Sequence, residues 1–190
     1  MKKLLLLILL LLIPVEGHAL SSAIQAVVGV NTVGCGVTDS QETGGTNNYV
    51  GDEVDNSFNY KETSFTASQS VTIKTVYLNV ADAGSPTGLT VALCTDNAGA
   101  PGTCTNADAT ITTTTATAQW LHVNFTAGYA VTAATKYHIR VYYPYSSGYY
   151  NWLRNPTVTG QGVYSSPDGT TWTPVDASSQ THFRISTCED

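Results

Sequence analysis

The sequence has few charged side chains and very few basic ones. Of its 190 residues, 8 are Lys or Arg and 14 are Asp or Glu, giving a formal net charge of −6 at pH 7. A phosphate backbone would find little positive charge to neutralise, so we expect no nucleic-acid partner. The low charged fraction leaves a surface of Thr, Ser, Gly, Asn and Tyr, which favours an extracellular β-protein over a cytosolic enzyme.

The sequence also lacks the motifs of common hydrolases and metal enzymes. It contains no Gly-x-Ser-x-Gly turn, no His-Glu-x-x-His helix and no Cys-x-x-Cys pair. His122, His138 and His182 occupy strand positions opposite the apolar residues, but nothing in their spacing directs them to one zinc ion. We interpret them as exposed or hydrogen-bonded and predict a protein that is not an enzyme and needs no metal or cofactor.

Long hydrophobic runs are missing except at the N-terminus. Lys2 and Lys3 precede an apolar run over residues 4–13, and a short stretch ending at Ala19 follows. This pattern predicts a secretory signal peptide over residues 1–19. The run is about half the roughly 20 residues needed to cross a bilayer. We therefore expect a secreted protein, free or associated with the cell surface, without a membrane span in its mature form.

Four cysteines follow the signal segment. An even number of cysteines in an exported chain suggests disulfides. Three pairings are conceivable, and we favour Cys94–Cys104, which closes a short loop rich in Gly and Pro. The second bond would then be Cys35–Cys188, which would fasten the two ends of the domain together.

Helical periodicity is absent, whereas alternation of apolar and polar residues recurs. The apolar parity changes between residues 71–73 and residues 76–80, which predicts a β-bulge or a crossover between sheets at that point. Clear alternation returns over residues 121–125 and 137–143. Short strands separated by Gly, Thr and Pro predict an all-β protein, specifically a jelly-roll-like antiparallel β-sandwich.

The chain after the signal peptide divides into two segments of different character. Residues 20–57 comprise an N-terminal strand and a polar loop segment, and residues 58–190 form the β-sandwich domain; we expect residues 20–190 to fold as one unit. The small apolar segment 24–30 is interpreted as the first strand of its own domain, or else as a strand donated to a neighbouring subunit. Further on, Asp168-Gly169 predicts a tight hairpin turn with Trp172 packed beneath it.

Six short motifs follow one another over about residues 58–187. They are Ser64-Phe65-Thr66, Gly84-Ser85-Pro86-Thr87-Gly88 with the following strand, Thr95-Asp96-Asn97-Ala98-Gly99-Ala100-Pro101-Gly102, Trp120-Leu121-His122-Val123-Asn124-Phe125, the strand 136–141, and Asp168-Gly169-Thr170-Thr171-Trp172. Their order resembles that of the choice-of-anchor type of exported prokaryotic surface-protein β-sandwich module. This resemblance implies a jelly-roll-like sandwich displayed or released outside the cell, and it carries over no catalytic residue.

An aromatic stretch over residues 137–154 is the main candidate for ligand recognition. Sugars stack on Tyr or Trp faces while nearby polar groups satisfy their hydroxyls. Alternation turns Tyr137, Tyr143 and Trp152 towards the core and leaves Tyr142, Tyr145 and Tyr149 as the members more exposed to solvent. The predicted ligand-binding residues are Tyr142, Tyr145, Tyr149, Tyr150, Asn151, Trp152 and Arg154.

These features favour a secreted, non-catalytic β-sandwich protein for extracellular adhesion, matrix formation or surface assembly. The alternative is a lectin-like carbohydrate-binding protein that uses the exposed Tyr/Trp loop. A further alternative is a filament subunit assembled by exchange of the N-terminal strand. The expected partners are a glycan or another extracellular surface, and further copies of the chain.

Overall fold

The described part of the chain consists of β-strands, turns and loops. The computed structural model describes residues 36–42, 46–50, 59–84, 86–112, 115–144, 148–156, 162–176 and 178–190, with 46–50 described by its backbone. All of them belong to one compact unit of the chain. The predicted signal peptide, the predicted strand at 24–30, Cys35 and Tyr145 lie outside the described residues.

Thirteen strands are assigned within these residues. They are β1 (Val37–Gln41), β2 (Thr46–Val50), β3 (Tyr60–Thr66), β4 (Val71–Ala83), β5 (Thr90–Asn97), β6 (Ala100–Asn106), β7 (Gln119–Val131), β8 (Lys136–Tyr142), β9 (Tyr149–Asn155), β10 (Val163–Ser166), β11 (Thr173–Asp176), β12 (Gln180–Thr181) and β13 (Phe183–Ser186).

The strands form two antiparallel sheets, which confirms the predicted all-β sandwich. The first sheet has the order β1-β13-β4-β9-β12, with β7 paired to β4 and β2 paired to β9. The second has the order β11-β10-β3-β8-β5-β6. From β3 to β5 and from β7 to β10 the chain alternates between the two sheets, as a jelly-roll-like sandwich requires.

The core lies between the sheets and follows the alternation read from the sequence. In β8, Tyr137, Ile139 and Val141 are buried within it, because successive side chains of a strand point to opposite faces. Aromatic contacts join the sheets: the rings of Phe65 (β3) and Phe183 (β13) lie 5.7 Å apart. The core therefore fixes how the two sheets sit on each other.

The predicted bulge is also present. The pairing of β4 with β7 shifts register between Ile73 and Thr75. Ile73 before the shift and Val76 after it are both fully buried, although they lie on opposite parities in the sequence. The bulge lets one long strand keep apolar residues of both parities on the core side.

β1 and β2 were not predicted, because their sequences are polar. β1 pairs with β13 through Val37↔Ser186 and Ser40↔Arg184, and β2 pairs with β9 through Thr46↔Arg154. Both therefore join the first sheet, although they belong to the segment 20–57. Both strands are held by backbone hydrogen bonds to a neighbouring strand. Backbone hydrogen bonds do not require alternating apolar side chains, so the sequence gives no sign of these strands.

Candidate functional site

A polar cleft of about 540 Å³ is formed by residues of the second sheet and its loops. The β5–β6 hairpin forms one wall, and the loop between β10 and β11 forms the other. The lining side chains offer hydroxyls, an amide and one carboxylate but no cation. The residues that line the cleft are Thr95, Asp96, Asn97, Pro101, Gly102, Thr103, Gly169 and Thr170.

The β5–β6 wall is a tight hairpin fastened by a disulfide. Ala98 and Gly99 connect the strands with φ of 54° and 90°, the positive values that a two-residue hairpin turn of type I′ requires. Cys94 and Cys104 face each other across the strands and are disulfide-bonded, as predicted. Cys188 is also disulfide-bonded, whereas Cys35, its predicted partner, lies outside the described residues.

The opposite wall is the loop 167–172, which is longer than the predicted two-residue turn. Asp168 organises it: the carboxylate accepts hydrogen bonds from the backbone N–H groups of Thr170 and Thr171, both at 2.8 Å. These bonds hold the pKa of Asp168 well below its usual range. Ser166 Oγ donates to the same carboxylate at 2.9 Å. The loop is therefore held in one shape by its own polar groups.

Aromatic rings lie beneath this loop. Tyr60 stacks on Tyr142 at 4.3 Å between ring centroids, and Trp172 meets Tyr60 edge-on at 6.5 Å. A Cβ at Gly169 would lie 3.1 Å from the Tyr60 ring, so the loop rests directly on it. The guanidinium of Arg140 lies 5.6 Å from the same ring. This group of half-buried aromatics lies beside Gly169, which lines the cleft, and the predicted packing of Trp172 beneath its turn stays a prediction.

Behind the cleft, three ionisable side chains cross three neighbouring strands of the second sheet. His138 Nδ1 lies 2.7 Å from Glu62 Oε2, and His138 Nε2 lies 2.8 Å from Asp96 Oδ1. The side chains of Glu62 and His138 are fully buried, whereas that of Asp96 is 28% exposed. Only Asp96 reaches the cleft. We call this set the Glu62–His138–Asp96 relay.

The surroundings shift the pKa values of all three relay residues. Burial raises the pKa of Glu62, and the hydrogen bond from His138 only partly offsets this. Burial works against a charged imidazole at His138, but the hydrogen bonds and charges of Glu62 and Asp96 outweigh it and raise its pKa. Burial opposes ionisation at Asp96 too, yet the bonds from His138 and Gly99 lower its pKa.

The structure does not bring the predicted ligand-binding residues together. Tyr142 lies on the second sheet beside Tyr60, whereas the other described members lie on β9 of the first sheet. Tyr150 and Trp152 are fully buried in the core, so their rings offer no face to a ligand in solvent. The burial of Trp152 agrees with the alternation, and a role of either residue in ligand binding stays a prediction.

The remaining predicted members are placed as follows. Tyr149 and Asn151 are half-buried on β9. Arg154 donates to Asp176 Oδ2 at 3.1 Å and to Ser179 Oγ at 3.2 Å, so its guanidinium is engaged within the protein. Their role in ligand binding stays a prediction.

The histidines do not converge. His138 belongs to the second sheet, whereas His122 on β7 and His182 between β12 and β13 belong to the first. No group of three or more His, Cys, Asp or Glu side chains suited to a metal ion is found in the described part of the chain. The relay was missed because Glu62, Asp96 and His138 are far apart in sequence and no single motif contains more than one of them.

No protein-family model, curated protein or solved structure matches this chain. The resemblance to choice-of-anchor modules therefore stays a prediction. Among the described residues no helix is long and apolar enough to cross a membrane.

Proposed function

We propose that this protein is a secreted, non-catalytic β-sandwich module that binds a neutral carbohydrate in the cleft between the β5–β6 hairpin and the loop 167–172. Binding of this kind would serve adhesion, matrix formation or surface assembly outside the cell. The observation that carries the proposal is the polar lining of the cleft. The signal-like N-terminus and the Cys94–Cys104 disulfide support the extracellular setting.

The lining matches the chemistry of sugar hydroxyls. Thr103 and Thr170 supply hydroxyls that both donate and accept, Asn97 supplies an amide, and Asp96 supplies an acceptor. A few fixed polar groups converging on a concave site are typical of small-ligand recognition.

The charge of the cleft selects among sugars. Its one charged lining residue, Asp96, is an acid whose pKa is lowered, so it is ionised near neutral pH. An acidic sugar would place a second carboxylate against it, and like charges in contact oppose binding. Neutral hexose polymers are therefore the ligands that this site fits best.

The proposal is tested by binding to an array of neutral and acidic glycans, followed by calorimetry with the neutral polysaccharide that binds. Asn97→Ala and Thr103→Ala remove groups from the cleft and should each weaken binding about tenfold, the effect of losing one or two hydrogen bonds. Thr132→Ala changes an exposed Thr in the β7–β8 turn and should leave the affinity unchanged.

Tyr149→Ala separates the cleft from the aromatic loop predicted from the sequence. Tyr149 lies on the first sheet, so its loss should not change binding in the cleft. A wild-type protein that binds no neutral glycan would refute the proposal. Binding that Tyr149→Ala abolishes and Asn97→Ala leaves intact would instead favour the aromatic loop.

A further inference from the structure

The relay uses both nitrogens of one buried imidazole to hold two carboxylates. Ionised carboxylates only accept hydrogen bonds. Both contacts of His138, at 2.7 Å and 2.8 Å, can therefore be satisfied only when Glu62 and His138 together carry two exchangeable protons. These protons can sit on the two ring nitrogens, or on Nε2 and Glu62; in either arrangement both hydrogen bonds are formed.

We propose that Glu62 and His138 are positioning residues, which fix the carboxylate of Asp96 in the cleft only while the Glu62–His138 pair holds these two protons. This inference rests on the proposed function, because the importance of Asp96 is its place in the carbohydrate cleft. It makes carbohydrate binding at that site depend on pH, because binding weakens when the Glu62–His138 pair loses one proton.

The burial of the three groups decides which hydrogen bond is lost. After one proton leaves, a single N–H must serve two carboxylates. Glu62 is fully buried, and its other oxygen, Oε1, has no hydrogen-bond partner among the described residues. An ionised carboxylate there depends on His138. Asp96 is partly exposed and can be hydrated, so the proton stays towards Glu62 and Asp96 is released.

The other charges around the pair are few. Lys136 and Arg140 lie two residues to either side of His138 on β8 and share its face of the strand. Arg140 is the register partner of Glu62 on β3. Both are cations that favour ionised carboxylates. After its release from His138, Asp96 keeps one hydrogen bond, in which its carboxylate accepts from the N–H of Gly99 at 3.3 Å. Because this single bond replaces two, the carboxylate is free to turn.

The direct test is a pH titration of the whole protein by NMR, with the ¹⁵N shifts of the His138 ring and the ¹³C shift of the Asp96 carboxyl followed together. The pKa of His138 is raised above its ordinary 6.5, so we expect a transition above that pH. The Asp96 carboxyl should shift at the same midpoint. An Asp96 signal that changes only in acid, with none at the His138 midpoint, would overturn the inference.

Variants then connect the relay to binding, with mannan and a soluble β-glucan as probes. Wild-type affinity should fall about tenfold across the His138 transition, the effect of losing one charged hydrogen bond. Glu62→Gln should move the midpoint to lower pH. His138→Gln keeps a donor towards Asp96 but cannot titrate in this range, and should bind without this pH dependence. Asp108→Asn, an exposed carboxylate elsewhere, should keep the wild-type profile.

The two proposals fail in different ways. If neither probe binds at any pH, the proposed function is refuted, while a shared His138 and Asp96 midpoint would still support the relay. If the probes bind with no pH dependence and the midpoints differ, the relay is refuted and the proposed function stands. Because the NMR titration uses the wild-type protein, it decides the matter even if His138→Gln fails to fold.

Discussion

Replacing Glu62 by Gln should destabilise the protein in a pH-dependent way. Gln has nearly the same shape and its Oε1 can accept the hydrogen bond from His138 Nδ1, so the packing is kept and the charge is removed. A hydrogen bond involving a charged group contributes about 1.5 to 3 kcal/mol. We expect Glu62→Gln to lower the free energy of unfolding by about 2 kcal/mol at about pH 5.5. A domain of ordinary stability, about 5 to 15 kcal/mol, remains folded after that loss.

The sign of the pH dependence follows from the two raised pKa values. The raised pKa of His138 adds stability that is fully present below pH 6.5, its ordinary value, and is lost as the pH rises through the folded-state value. The raised pKa of Glu62 acts in the same direction, because a buried carboxylate disfavours the folded state once it must ionise. The Gln variant loses the Glu62 contribution and the part of the His138 contribution that comes from Glu62. The difference between the proteins should therefore shrink towards zero at about pH 8.5.

Urea unfolding followed by Trp fluorescence, with disulfides intact, measures this difference at each pH. Working above about pH 5 avoids the titration of Asp96, whose lowered pKa removes stability only in more acid solution. Asp108→Asn is the matched carboxylate-to-amide control and should show an effect that does not change between the two conditions. A loss for Glu62→Gln that is equal at both pH values, or larger at the higher one, would refute the reasoning.

The further predictions concern the scaffold and are all measured by urea unfolding. Replacing Cys94 and Cys104 together by Ala, without reductant, should cost about 3 kcal/mol, because the bond closes a short loop of the unfolded chain; an unchanged midpoint would contradict this. Gly148→Ala should cost at least about twice as much as Gly99→Ala. Both glycines have positive φ, but a Cβ at Gly148 would collide with the backbone oxygen of Ala83, whereas one at Gly99 meets nothing within 4 Å. Trp152→Phe should cost about 2 to 4 kcal/mol, since its indole N–H donates to a buried backbone carbonyl at 2.9 Å, and a loss below about 1 kcal/mol would speak against it.

The strands with a strong apolar alternation could be read directly from the sequence. The alternation over residues 137–143 placed Tyr137, Ile139 and Val141 in the core, and the parity change near residue 74 located the bulge. These features are local, because a strand with one face on the core must alternate with period two. β1 and β2 carry no such signal, since pairing with a neighbouring strand holds them in place.

The site was much harder to predict than the fold. In the sequence, Thr95, Asn97 and Thr103 look like ordinary turn and edge residues. They line a common cleft only because the loop 167–172 faces the hairpin in the folded protein. The aromatic stretch gave a stronger signal, although two of its rings, Tyr150 and Trp152, lie in the core. Aromatic side chains are equally suited to a core and to a binding face, and the two are separated only by which sheet a strand joins and which side it turns inward.

The sequence alone determined the all-β class, the disulfide between Cys94 and Cys104, and the core face of its most regular strands, because each depends on residues close together in the chain. Only the tertiary structure decided that Tyr150 is core, and that Glu62, His138 and Asp96 meet behind one cleft. Those contacts depend on the order of β3, β8 and β5 in a sheet. That order is set by packing over the whole domain, which a local pattern of side chains does not record.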